Sequence, residues 1–259
     1  MKNKLSMKYI PIIALIFSLF GVVPNSIEAQ TLSSKEIIKK VENTMRGNSN
    51  FSEIKMTIIR PDWSREMTMK SWAKGEKYAL IQITGPARDK GTMFLKRENE
   101  LWNWQPRINK TIKMPPSMLT QSWMGSDFSN DDLVRQSSFV NDFTHEQLPD
   151  EKVEGRDCYV IMMTPKEGVP VVWGSIKFWV DKKEFIQMKS EFYDEDEYLV
   201  STIAFSEIKT MAGRPIPTVL TVTPADDEEN KTIIEYLNLE FDKQYEDNFF
   251  TIQNMKRIK

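Results

Sequence analysis

The chain has 259 residues, with 35 Lys and Arg against 37 Asp and Glu, one histidine and one cysteine. A mildly acidic balance of mixed charges leaves no electrostatic footprint for nucleic acid. A single cysteine excludes an intrachain disulfide, and one His with one Cys cannot make a His/Cys zinc site.

The chain opens with Lys2, Lys4 and Lys8 and no acid, followed by an apolar run from Tyr9 to Val23. Pro24, Asn25 and Ser26 break that run, and Ala29 stands where the residue before a cleavage site belongs. This is the three-part layout of a secretory signal peptide. The run is about 15 residues, short of the roughly 20 that a membrane span needs. The expectation is an exported chain, cleaved near Ala29, with residues 30–259 forming one domain. No cysteine follows the apolar run, so lipidation at a leader cysteine is not expected. Loss of residues 1–29 removes three lysines and Glu28 and leaves a net charge of −4. About 230 residues suffice for one undivided β domain with a good core.

Ser33-Ser34-Lys35-Glu36 reads as a capping box. Ile37, Ile38, Val41 and Met45 then recur at helical spacing, and Gly47 closes the segment, which predicts one amphipathic helix over 32–46.

After it the period changes to two. Ile54, Met56 and Ile58 alternate with their neighbours, as do Met67 and Met69, then Ala79, Ile81 and Ile83. Met93 with Leu95 and Leu101 with Trp102 and Trp104 follow, and the theme returns in 158–164, 175–180, 185–193, 199–209, 216–223 and 231–241. Short turns such as Lys74-Gly75 and Gly85-Pro86 separate the runs. The count is about eleven strands. Several run longer than the usual 5–6 residues, which favours a large curved antiparallel sheet or open barrel. Periodicity alone leaves open whether Ile81 and Ile83 or Leu80 and Gln82 face the interior.

The middle, 115–135, loses the period-two pattern. Ser129 and Asp132 form a second capping-box pattern that opens a short helix through Leu133 and Val134. Met118, Leu119, Trp123, Met124 and Phe128 are apolar in a segment too polar for a strand. They read either as an ordinary surface connection or as a helical cover over one face of the sheet.

The search for catalytic sets is negative. There is no Gly-x-Ser-x-Gly elbow, no Gly-x-Gly-x-x-Gly and no P-loop, and a Ser-His-Asp triad would have to use His145. Asp194 to Glu197 and Asp226 to Glu229 lie between strands and read as solvated hairpin loops. A hydrolase with converging carboxylates has nothing to select its pair. No enzyme, cofactor or metal is expected. The inventory of 15 Met, 14 Phe and 7 Trp is compatible with a plain core or with an apolar pocket for a lipid-like ligand.

Several stretches resemble a known family: Trp72-Ala-Lys-Gly-Glu-Lys-Tyr-Ala-Leu, Gly85-Pro-Ala-Arg-Asp-Lys-Gly-Thr-Met-Phe-Leu-Lys, Leu101-Trp-Asn-Trp-Gln-Pro, Trp123-Met-Gly-Ser-Asp-Phe-Ser-Asn-Asp-Asp-Leu, and the ending from Phe249 to Lys256. They are similar to the LolA-like outer-membrane lipoprotein-sorting proteins, in the broader branch of that half-barrel family. The resemblance implies a mostly β, open antiparallel half-barrel with an N-terminal helix and a short helical lid over its concave face. It also implies a monomeric periplasmic carrier that shields lipoprotein or lipid acyl chains between an inner-membrane donor and an outer-membrane acceptor. The apolar site would draw on Ile81, Ile83, Met93, Leu95, Trp102 and Trp104 from the strands. Met118, Leu119, Trp123, Met124 and Phe128 would come from the lid. A lid-closing arginine is implied too, with Arg46, Arg60, Arg88 and Arg135 as candidates. The alternative within the same resemblance is a periplasmic sensor that binds a membrane-anchored partner protein.

Overall fold

The structure, a computed structural model, describes residues 32–258 apart from 99, 120, 131, 133–137 and 170. The expected signal peptide lies outside the described residues.

Helix α1 (Ser34–Arg46) forms as its capping box predicts: Ser33 Oγ accepts from the Glu36 N–H, and Glu36 Oε2 accepts from the Ser33 N–H at 2.8 Å. It ends at Gly47, whose φ of 63° suits glycine. A Cβ there would stand 3.1 Å from the Phe241 ring, so space as well as backbone conformation selects this residue. Arg214 donates to the Asn43 carbonyl at 2.8 Å and pairs with Asp242 at 2.9 Å, tying the negative end of the helix to the sheet.

Thirteen antiparallel strands form one sheet: β1 (Ser49–Arg60), β2 (Trp63–Lys74), β3 (Tyr78–Gly85), β4 (Met93–Arg97), β5 (Glu100–Gln105), β6 (Lys110–Lys113), β7 (Phe143–Val153), β8 (Arg156–Pro165), β9 (Ser175–Asp181), β10 (Gln187–Tyr193), β11 (Leu199–Met211), β12 (Arg214–Pro224) and β13 (Lys231–Phe241). Their order is β6-β5-β4-β3-β2-β1-β13-β12-β11-β10-β9-β8-β7, so the sheet is open, with β6 and β7 at its two edges. Two meanders meet where β1 pairs with β13. Bulges in β3, β7, β10, β11 and β13 shift the register and add local bend to long strands.

About eleven strands were expected and thirteen are present among the described residues. The two additional ones are the edges. β6 is four residues long, and β7 reads Phe-Thr-His-Glu-Gln-Leu-Pro-Asp-Glu-Lys-Val with mostly exposed side chains. Edge strands face water and are kept short or charged, so they lack the apolar alternation that announces an inner strand. The two acidic runs occupy the β10–β11 and β12–β13 turns, as expected, where Asp194 and Asp227 accept backbone N–H groups within their own turns.

Both faces of the sheet are apolar in part. On the inner face, α1 buries Ile37, Ile38 and Val41 against Phe143, Ile161, Ile176 and Phe178. On the outer face, the C-terminal segment, with a short helix α2 (Ile252–Met255), buries Phe250 and Met255 against Leu80, Met93, Leu95 and Trp104. Lys74 fastens it by donating to the Tyr245 carbonyl and Asp247, each at 2.7 Å. Further along the outer face, Lys177 and Lys189 lie over the Trp179 ring at 4.5 and 4.7 Å, and Trp179 donates to Glu151 at 2.8 Å. The lysine stems cover apolar surface and keep their charge in water.

Cys158 is fully buried on β8 beside Val160, Trp179 and Met188, and burial pushes its thiol up to about 11. The thiolate is the reactive species. The folded protein is predicted not to react with an aromatic disulfide reagent at pH 8, and to release one equivalent of thiolate when urea unfolds it. Fast reaction of the native protein would refute the burial.

Candidate ligand-binding site

The inner face of β1–β5 is a patch rich in methionine. The β1–β2 register sets Met56 opposite Met67 and Ile54 opposite Met69, and β2–β3 adds Ile83 and Ile81. Phe94 and Leu101 continue it. Trp123 lies on this patch with no exposed surface, its ring 5.3 Å from Phe94, and Phe128 is buried beside it. Residues 122–130 thus form a strap over the inner face, closed on itself by Trp123 N–H to Phe128 O at 2.7 Å and Ser126 Oγ to Trp123 O at 2.7 Å.

Arg60 latches the strap to the sheet. It makes a two-pronged pair with Asp127, at 2.9 and 3.2 Å, and donates to the Gly125 carbonyl at 3.0 Å. Thr232 on β13 completes the latch: its hydroxyl donates to Asp127 Oδ2 at 2.7 Å and accepts from the Asp127 N–H at 3.0 Å. The pair is only 16% and 10% exposed, so it is held largely away from water. Of the four candidate arginines, Arg60 alone among the described residues makes this contact with the strap. Arg46 bonds the Gly75 carbonyl, Arg88 pairs with its neighbour Asp89 on the surface, and Arg135 lies outside the described residues. The capping box at Ser129 and Asp132 is formed; the rest of the helix expected there lies outside the described residues.

Beside the strap the inner face opens into a cavity of about 270 Å³. Ile38, Val41 and Met45 of α1 roof it, and Phe128 of the strap closes one side. Its floor is Phe178, Ser190, Phe192, Ile203, Phe205, Leu220 and Val222 of β9–β12. A few polar groups punctuate the wall. Burial, reinforced by Glu76, raises the Glu42 carboxyl above its ordinary value, against the opposing effects of Arg46 and the Val140 and Phe139 backbone. Burial also raises Asp132, against hydrogen bonds from Ser129 and Trp173, and raises the Tyr236 phenol. An apolar concavity with few polar groups suits an apolar ligand far better than bond-making chemistry. Among the described residues, no group of three or more His, Cys, Asp or Glu is placed to hold a metal. No helix among them is long and apolar enough to cross a membrane. His145 sits on β7 with a ring nitrogen 2.6 Å from the Phe139 carbonyl.

The structure divides the residues singled out in the sequence. Ile81 and Ile83 lie on the inner face with Trp123 and Phe128, and Leu119 and Met124 pack against the same cluster, half-buried. Met118 is exposed. Met93, Leu95, Trp102 and Trp104 do not join them. Leu95 opposes Leu80 and Trp102, and Met93 opposes Gln82 and Trp104, so the pleat puts all four on the outer face under the C-terminal segment. Alternation along each strand does not say which pairs share a face; the β3–β4 register, which sets Ile81 opposite Phe94, decides it. Only Phe128 of the eleven lines the cavity. Its other walls come from α1 and the second meander. The apolar stripe of α1 was legible and needed a covered partner, but nothing local in the sequence says which strands it covers.

A protein-family model described as "Uncharacterized protein" matches residues 75–257. The chain belongs to that family, and its fold is LolA-like. Three solved structures carry the second statement. A domain named for outer-membrane lipoprotein sorting, from Vibrio parahaemolyticus, is 21% identical with a TM-score of 0.76, covering 86% of this chain and 98% of its own. A DUF1329 family protein from Desulfovibrio piger is 24% identical with a TM-score of 0.78, covering 86% and 97%. A LolA superfamily protein from Nitrosomonas europaea is 21% identical with a TM-score of 0.74, covering 86% and 99%. No curated protein matches the sequence. The LolA-like fold agrees with the mostly β, open antiparallel sheet and N-terminal helix expected from the residues.

Arg60→Ala leaves Asp127 mostly buried without its ion-pair partner. It is predicted to cost about 2–4 kcal/mol by urea unfolding, against about 0–1 for Arg88→Ala on the surface. Equal effects would show that the latch contributes nothing special. A second prediction concerns Glu42. Its raised value means that the folded protein holds this proton more tightly than the unfolded chain. That contribution is full below the ordinary value of 4.5 and is lost as pH rises through the higher folded value. Glu42→Gln is therefore expected to raise the urea midpoint at pH 7 and to leave it nearly unchanged at pH 4.

Proposed function

We propose that this chain is an exported carrier that shields the acyl chains of lipoproteins or lipids between an inner-membrane donor and an outer-membrane acceptor. The working unit on this reading is residues 30–259, a monomer in the periplasm after removal of the leader. The observation that carries it is the cavity of about 270 Å³ roofed by α1, flanked by the latched strap and floored by phenylalanine, isoleucine, leucine and valine.

The volume lies just below the roughly 300–1,000 Å³ of ordinary ligand pockets. Long acyl chains therefore require the strap to yield, with Trp123 and Phe128 leaving the Met56, Met67 and Met69 patch. Burial of acyl carbon contributes about 0.8 kcal/mol per methylene, so two long chains outweigh the strap contacts. The methionines suit this exchange, because their unbranched, polarizable side chains pack against either occupant. The strap must also return for cargo to be handed on, so the difference between the two occupants has to be modest. The Arg60–Asp127 latch favours the closed form and sets that balance.

A fluorescent long-chain acyl probe tests the reading. The mature protein is expected to bind it. Leu220→Trp fills the floor of the cavity and excludes at least two methylenes, which predicts a loss of about tenfold or more with the far-ultraviolet circular dichroism unchanged. Trp123→Ala with Met118→Ala is expected to raise affinity by weakening the closed form. Failure of the folded protein to bind any long-chain amphiphile would overturn the proposal. Isolation of a stoichiometric membrane-protein partner without lipid would favour the sensor reading instead.

A further inference from the structure

One polar side chain in the cavity floor has no explanation in the fold. Ser190 sits in the middle of β10 with no exposed surface. It opposes Phe178 on β9 and Ile203 on β11, and all three line the cavity. Its Oγ is buried and has no hydrogen-bond partner. Two other hydroxyl residues near the cavity are accounted for differently: Thr232 is bonded to Asp127, and Ser201 is half-buried near the start of β11. An unpaired buried hydroxyl costs about 1–3 kcal/mol, and alanine would fill the same position without that cost.

We propose that Ser190 is a ligand-binding residue that receives an oxygen atom carried by the acyl ligand. This rests on the carrier reading and narrows it. The ligand class is an oxygen-bearing amphiphile, with an ester carbonyl or a chain hydroxyl within its buried part, and not a plain hydrocarbon tail. The geometry supports a single such contact. Phe178, Phe192, Phe205 and Ile203 around Ser190 offer no polar side-chain atom, so an ester or hydroxyl brought against them meets Ser190 as the buried hydroxyl without a partner. In these surroundings an oxygen that meets the hydroxyl is favoured over a methylene, and one that misses it is penalised, so the position selects register as well as chemistry.

The test uses the whole mature protein with a fluorescent fatty-acid probe, displaced by three ligands of equal chain length: a plain fatty acid, a monoacylglycerol ester and a hydroxy fatty acid. One net hydrogen bond predicts that the wild type prefers one or both oxygenated ligands by about five- to tenfold. Ser190→Ala is expected to erase that preference while leaving plain fatty-acid binding unchanged, and to raise the melting temperature of the ligand-free protein. Ser190→Thr keeps a hydroxyl and is expected to restore part of the preference. The monoacylglycerol and hydroxy-acid arms separate an ester from a chain hydroxyl as the source of the oxygen. Equal displacement by all three ligands, or an equal effect of Ser190→Ala on all three, would overturn the role of Ser190 and leave the carrier reading standing. A structural water that satisfies the hydroxyl would give that second result. Absence of binding by every amphiphile would overturn both.

Discussion

The two edges of the sheet are consecutive in the chain. β6 ends at Lys113 and β7 begins at Phe143, yet they stand at opposite ends of a thirteen-strand order. At about 4.8 Å between neighbouring strands, a flat sheet of this width would separate them by roughly 58 Å. The connection must therefore cross a face, and curvature shortens its path. The strap is thus a requirement of topology before it is a device. Because it crosses the inner face, it carries Trp123 and Phe128 onto the methionine patch, and Arg60 and Thr232 are in place to hold it through Asp127.

A single sheet has no second sheet to bury either face, so each apolar stretch needs its own cover. The molecule supplies four different ones. The strap covers β1–β5 inside, α1 covers β7–β9 inside, the C-terminal segment covers β3–β5 outside, and lysine stems cover Trp179 outside. The inner covers differ in how they are fixed. α1 is capped at one end by its own box and held at the other by Arg214. The strap is held by the Arg60–Asp127 pair, by Thr232, by arginine donors to the Met124 and Gly125 carbonyls and by the burial of Trp123 and Phe128.

The sequence was most legible where burial is one-sided. Alternation in β1–β3 and β11–β13 and the stripe of α1 announced themselves, because one face of each meets water and the other does not. β6 and β7 were invisible for the complementary reason: edge strands are half in water along their backbone, and β7 carries Glu146, Asp150, Glu151 and Lys152 in place of a stripe. The site was less legible than the fold. Period two says that Met93 and Leu95 share a face, but not that Ile81 lies on the other one. That depends on the register of β3 with β4, where Ile81 meets Phe94, and register is a property of two strands at once. The cavity was harder still, since its roof and floor lie some 140–180 residues apart and neither carries a motif. Arg60 could be named as a candidate but not chosen from its sequence context. Its partner Asp127 lies 67 residues on and is brought to it only by the crossing of the strap.

The cavity lies under α1 and not under the strap because of what each meander contributes to the inner face. The first supplies Met56, Met67, Met69, Ile81, Ile83 and Phe94, which pack with Trp123 into one buried cluster. The second sets Ser190 in a row with Phe178, Ile203 and Val222 and Ser201 opposite Phe192, and a serine leaves unfilled the volume that a leucine would occupy. Mutations that create such voids in a core cost about 24 cal/mol per Å³ of cavity. A larger apolar side chain on the floor, as in Ser190→Leu or Ser201→Val, would fill it. The void therefore persists at a standing cost to stability, and the unpaired hydroxyl of Ser190 adds to it. On the proposed reading an apolar chain bearing one oxygen would remove both costs together, and a better-packed floor would remove them only by abolishing the room.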